Sequence, residues 1–140
     1  MPLSFYERAI DFIATYADVL HHGKEEDRLF PLLGQRGMPQ EHGPIGVMLA
    51  EHLIGRGHVG AMRDHLAAGD VETLRQESLA YASLLRDHIA KEDNVLYPMG
   101  RDILSADDLQ TLEARFTEVE EPAGGAAAHV QLAADLLAEA

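Results

Sequence analysis

At 140 residues the chain is long enough for one domain with its own core and short for two, so residues 1–140 are expected to form a single domain. The absence of cysteine excludes disulfides, thiolate metal sites and a cysteine nucleophile, leaving histidine and carboxylate as the metal-binding chemistry. A formal net charge of -13 with 11 Lys plus Arg argues against nucleic acid as a partner, and with neither a basic-then-apolar leader nor ~20 uninterrupted apolar residues the chain reads as soluble and cytoplasmic, with no membrane partner.

Ser4, with Glu7 three residues on, has the capping-box pattern, and Phe5, Ala9, Phe12, Ile13, Tyr16 and Leu20 follow at helical spacing. A first long helix is therefore predicted from about Ser4 to Phe30, stopped by Pro31 and followed by a connector over 35–44. Pro44 suits a first helical turn, and Ile45, Met48, Leu49, His52 and Leu53 carry a second helix toward Ala68. Its Gly55, Gly57 and Gly60 weaken it and point to close helix packing or a kink. Gly69 is a C-cap and Asp70 an N-cap for a third helix through Leu74, Leu79, Ala82, Leu85, Ile89 and Leu96, ending before Pro98. Ser105 caps a shorter acidic helix to about Glu121, and after Pro122–Gly125 a last alanine-rich helix over 126–139 closes the chain. With no period-two segment, the fold class is all-α, an up-down bundle of three long helices plus a shorter C-terminal helix.

One segment occurs twice without gaps: HHGKEEDRLFP from His21 and HIAKEDNVLYP from His88. Each copy sets a histidine four residues before a carboxylate, His21 with Glu25 and His88 with Glu92, which brings both side chains to one helix face. A lone pair of this kind is commonly a solvated face; the duplication makes it metal-ligand geometry. His52, on the apolar side of the second helix with Met48 and Leu49, supplies a third histidine from a third helix. Imidazole and carboxylate without thiolate suit iron, manganese or zinc, with two iron ions the first choice. His58, His65, Asp107, Asp108 and the charges around Glu26 read as solvated, and Met48, Met62, Phe12, Phe30 and Tyr97 read as core.

Three blocks, HHGKEEDRLFP, GMPQEHGPIGVMLAEH and HIAKEDNVLYP, resemble the hemerythrin-like, or HHE cation-binding, domains. The resemblance implies a helical bundle around a non-haem, usually di-iron, centre, with His21, Glu25, His52, His88 and Glu92 as metal ligands. It also implies a small partner, dioxygen, nitric oxide or peroxide, that is bound or sensed, or a role in iron handling. A di-iron oxidase or peroxidase and a metal-free helical scaffold are the alternatives. Members usually begin with one more helix bearing a ligand histidine; this chain starts near their second helix, as it would if the native start lay upstream of Met1. Oxygen carriers place a histidine where Arg56 stands, and take the last carboxylate at the position of Asp93 rather than Glu92. The completing ligand is left open between His22, Glu51, His129 on the C-terminal segment 126–139, and a second subunit of a homodimer.

Overall fold

The structure is a computed structural model that describes residues 2–120 and 134. Four helices appear among the described residues, with no strand: α1 over residues 3–35, α2 over Gly43–Ala68, α3 over residues 71–103 and α4 over Ala106–Glu120. The expected last helix over 126–139, and His129 with it, lies outside the described residues.

α1 and α3 are not uniform. α1 widens to π geometry over Ile13–His22 and again over Glu25–Leu29, and α3 widens over Glu92–Leu96. The latter two segments begin at equivalent glutamates of the repeat. In both copies the closing N–H, of Phe30 or of Tyr97, donates five residues back to the carbonyl of Glu25 or Glu92. This corrects the expected helix ends at Pro31 and Pro98. Each proline sits just beyond a widened turn, at the first positions of a new α segment where no backbone donor is required, so the helices continue to Gln35 and Ile103. The start of α1 is a second correction: extended Pro2 precedes it, with no side-chain cap, in place of the Ser4 capping box.

α2 runs unbroken across its three glycines. Gly55 is the packed one, where a Cβ would meet Tyr81 Cε2 at 3.5 Å and Leu84 Cδ2 at 3.7 Å, while Gly57 and Gly60 face open space. Gly57→Ala and Gly60→Ala are each expected to stabilise the protein by about 0.5–1 kcal/mol, seen as a higher denaturation midpoint with an unchanged slope. α2 ends at Gly69, whose φ of 71° favours glycine, and Asp70 then caps α3 by accepting from the Thr73 N–H at 3.1 Å.

Two apolar clusters set the helix directions. Ile10, Val59, Met62, Leu74 and Tyr81 join the start of α1 to the end of α2 and the start of α3. Leu29, Phe30, Leu33, Met38, Ile45, Met48, Leu96 and Leu112 join the opposite ends. α1 and α3 are therefore both antiparallel to α2, the expected up-down arrangement. α4 returns across the second cluster with Leu112 and Phe116, covering part of the face between α1 and α3. Contrary to the solvated reading of Asp108, it anchors this helix: it accepts from Arg36 Nε at 2.9 Å and Nη2 at 2.7 Å, and exchanges capping bonds with Ser105.

Those bonds, Arg36 first, hold the Asp108 carboxyl well below the usual carboxylate range. Because the folded carboxyl is harder to protonate than the unfolded one, its stabilisation is fully present above pH about 4 and is lost as pH falls further. Acid titration is expected to release α4 below that pH, and Arg36→Met to remove much of this acid dependence, as read by amide exchange in α4.

Candidate metal centre

Between the two apolar clusters lies a layer of buried ionisable groups. Glu25, His52, His88 and Glu92 are all 3% exposed or less. Their positions follow from the helices: the repeat aims Glu25 and Glu92 inward from α1 and α3, His88 joins Glu92 one turn earlier, and His52 comes from the apolar stripe of α2. His52 Nε2 approaches Glu25 Oε2 at 3.1 Å and His88 Nε2 approaches Glu92 Oε1 at 2.6 Å. None of these four atoms has a hydrogen-bond partner with acceptable angles, although all are buried. Unpaired, such groups cost about 1–3 kcal/mol each, and one atom from each of the four residues can be chosen so that all lie within 4.8 Å of one another. Two nitrogens and two oxygens at that spacing suit a first-row metal ion with bonds of about 2 Å.

His21 lies at the edge, with a 43% exposed side chain and Nε2 3.1 Å from Glu25 Oε1 and 3.7 Å from Glu92 Oε2. These two carboxylates raise its pKa to about 9, so it enters the cluster as a cation that compensates them. Burial alone would push the Glu92 carboxyl up, but contacts with His21 and His88 outweigh it and hold Glu92 below the usual carboxylate range. Asp93 is exposed, so Glu92 is the residue the fold turns into the cluster.

Two further residues enter the cluster, one a candidate that the sequence left open and one that it assigned to the core. His22 is buried, stacks on His52 with ring centroids 4.0 Å apart, and lies 5.4 Å from His88 by the same measure. Burial first, and the neighbouring His52 second, lower its pKa to about 4, leaving the neutral imidazole that ligates metals. His22, His52 and His88 form a second potential metal-binding group. Tyr97 corrects the reading as core: its hydroxyl donates to Glu25 Oε1 and Glu92 Oε2, both at 2.9 Å. Burial, then those carboxylates, push its pKa well above the ordinary tyrosine value and keep it a neutral phenol.

The outward nitrogens of both central histidines face carboxylates that are themselves paired with cations. His52 Nδ1 lies 3.2 Å from Glu26 Oε2, Glu26 accepts from Arg56, and Arg56 Nε donates to Asp18 at 2.8 Å. His88 Nδ1 lies 3.5 Å from Glu51 Oε1, and Glu51 accepts from Lys91 Nζ at 3.0 and 2.8 Å. Glu26, expected in solvent, and Glu51, a candidate completing ligand, are thus backing groups that turn the Nε2 atoms toward the cluster. Glu26→Gln is expected to weaken metal binding roughly 10- to 100-fold while preserving helicity, as read by competition with a chromogenic chelator.

The family model of the hemerythrin HHE cation-binding domain matches residues 3–100. The chain belongs to this family. It is 29% identical over 125 residues to uncharacterized proteins of Mycobacterium bovis and of two strains of Mycobacterium tuberculosis, covering 85% of this chain and 48% of each relative. The chain thus spans about half the length of the curated relatives it matches. No solved structure matches it. Family membership and the buried His/Glu cluster together make this HHE-domain chain a metal-binding protein. Among the described residues, no helix is long and apolar enough to cross a membrane.

Proposed function

We propose that this HHE domain holds two iron ions and uses them to bind or sense a small ligand, dioxygen, nitric oxide or peroxide. The observation that carries the reading is the set of four buried, unpartnered atoms from Glu25, His52, His88 and Glu92. His22 extends the set on one side and His21 on the other once a metal ion displaces its proton, so that six donors from three helices are enough to share between two ions. The donors also suit zinc or manganese; iron is proposed because the hemerythrin-like domains that the chain resembles usually hold a di-iron centre.

Iron held by these residues would offer an open coordination position and a redox-active ion to a small ligand. The chain's own groups do the rest. Glu26 with Arg56, and Glu51 with Lys91, fix the imidazole rings of His52 and His88. The Tyr97 hydroxyl, held between the two carboxylates, is a hydrogen-bond donor at the edge of the centre that orients them. A groove of about 420 Å³ between α1 and α3, lined by Phe12, Tyr16, Leu85 and Ile89 and reaching His21, His22, His88 and Glu92, gives an uncharged ligand an apolar approach.

Mixing the reduced protein with dioxygen, and separately with nitric oxide, tests the proposal. A charge-transfer band that reverses under vacuum, or a stable iron–nitrosyl signal, supports binding. Irreversible oxidation with many turnovers would replace it with the oxidase or peroxidase reading.

A further inference from the structure

α4 roofs only part of the face between α1 and α3. It climbs that face antiparallel to α1: Asp108 pairs with Arg36, Leu112 joins the cluster of Leu29 and Leu33, and the Phe116 ring centre is 5.2 Å from Lys24 Nζ. One more turn brings the end of α4, at Glu120, level with about His21. There the cavity of about 230 Å³ beneath α4 meets the groove of about 420 Å³, since His21 and Tyr97 line both. Among the described residues, α4 supplies walls to the first and none to the second. The groove thus continues the roofed face, and what it presents is apolar: Phe12 and Tyr16 stacked at 5.5 Å between centroids, Leu85 half-buried, and Ile89 46% exposed.

The sequence after α4 carries a matching surface. On a helix over 126–139, His129, Val130, Ala133, Leu136 and Leu137 share one face, and Gln131, Asp135 and Glu139, spaced by four, make a polar stripe opposite. Such a helix spans about 21 Å, against no more than about 14 Å of groove from His21 to Phe12. Pro122–Gly125 supplies the reach from the roofed half to the groove. α4 already points the chain up this face, so no reversal is needed. Tethering at Glu120 also gives the segment an effective concentration on the order of millimolar, well above that of a separate occupant.

We propose that segment 126–139 of the same chain docks as a helix in the α1–α3 groove, its apolar face on Phe12, Tyr16, Leu85 and Ile89 and its polar stripe toward water. Docking sets His129 at the His21 end of the groove and makes the segment a cover over the ligand's approach. The cover's role rests on the proposed ligand binding, whereas the docking needs no metal.

The chain has no cysteine, so thiol pairs can be introduced cleanly into the full chain. Ala17→Cys in the groove, combined with Ala133→Cys, is expected to be joined within one chain by a short bismaleimide at least about tenfold faster than Ala17→Cys combined with Asp135→Cys on the polar stripe. Isolated helices of this length are marginal in water, so amides of 129–138 are expected to be protected from exchange in the unsubstituted chain and to lose about tenfold or more of that protection in Ile89→Asp, with α2 unchanged. Equal joining of the two pairs overturns the proposal, as do segment amides exchanging at unfolded-chain rates in the unsubstituted chain, or protection unmoved by Ile89→Asp. Joining only between two chains also overturns it and gives the groove to a second copy. Docking that persists after chelation, in a chain that binds neither dioxygen nor nitric oxide, would support the proposal and sink only the ligand-binding reading.

Discussion

Glu92→Gln is expected to lower metal affinity by at least about 100-fold, whereas Asp93→Asn, one residue along, leaves it unchanged. The contrast rests on burial and aim. Glu92 is 2% exposed and presents an unpartnered oxygen beside His88 Nε2, while Asp93 is exposed to solvent. Glutamine keeps the length and shape of the Glu92 side chain but removes the negative charge that a divalent or trivalent ion requires. Circular dichroism should show an intact bundle in both variants, since the two apolar clusters lie above and below the exchanged group. Equal metal affinities for the Glu92→Gln and Asp93→Asn variants would remove Glu92 from the centre.

Removing the metal is expected to lower the melting temperature by on the order of 10 °C. A ligand at 100 times its dissociation constant stabilises the native state by about 2.7 kcal/mol, and each kcal/mol is worth about 2–4 °C in a chain near this size. The structural cause is the set of four buried atoms, one each from Glu25, His52, His88 and Glu92, that lie close together without a hydrogen bond between them. The measurement is a thermal melt before and after chelation and dialysis, with metal restored in a third sample. The same treatment applied to Glu92→Gln should change its melting temperature little, because that variant has little bound metal to lose.

Much of the bundle was legible in the sequence. Period-3.6 runs around Phe12, Met48 and Leu85, the cap at Asp70 and the turn at Gly69 give helices, direction and order. The repeat gives the inward glutamates, and the stripe through Met48, Leu49 and His52 gives the buried histidine of α2. What was missed follows from two physical causes. The first is local: Pro31 and Pro98 read as stops in α-helical geometry, but a widened turn before each removes the need for their missing N–H. Ile13–His22 is also widened, and His22 at its end is buried while its neighbour His21 stands at the edge.

The second cause is distance along the chain. Glu26 finds His52 and Arg56, and Asp108 finds Arg36, only after the helices have packed, so each carboxylate reads as a solvated charge in isolation. Tyr97 illustrates the same limit within the repeat. It stands where Phe30 stands in the first copy; both are aromatic at a core register, and only the three-dimensional placement of Glu25 and Glu92 gives its hydroxyl a purpose. Arg56, by contrast, could be noted from sequence as a departure from the oxygen carriers, but its pairing with Glu26 and Asp18 turns that departure into support for His52.

The central claim is that these buried histidines and glutamates exist to hold transition-metal ions. Elemental analysis of the full chain, expressed in iron-replete medium and purified without chelator, tests it most directly. The account predicts at least about one equivalent of transition metal per chain, iron foremost, lost in Glu92→Gln; less than about half an equivalent of any transition metal, in a chain that is nonetheless folded, would contradict it.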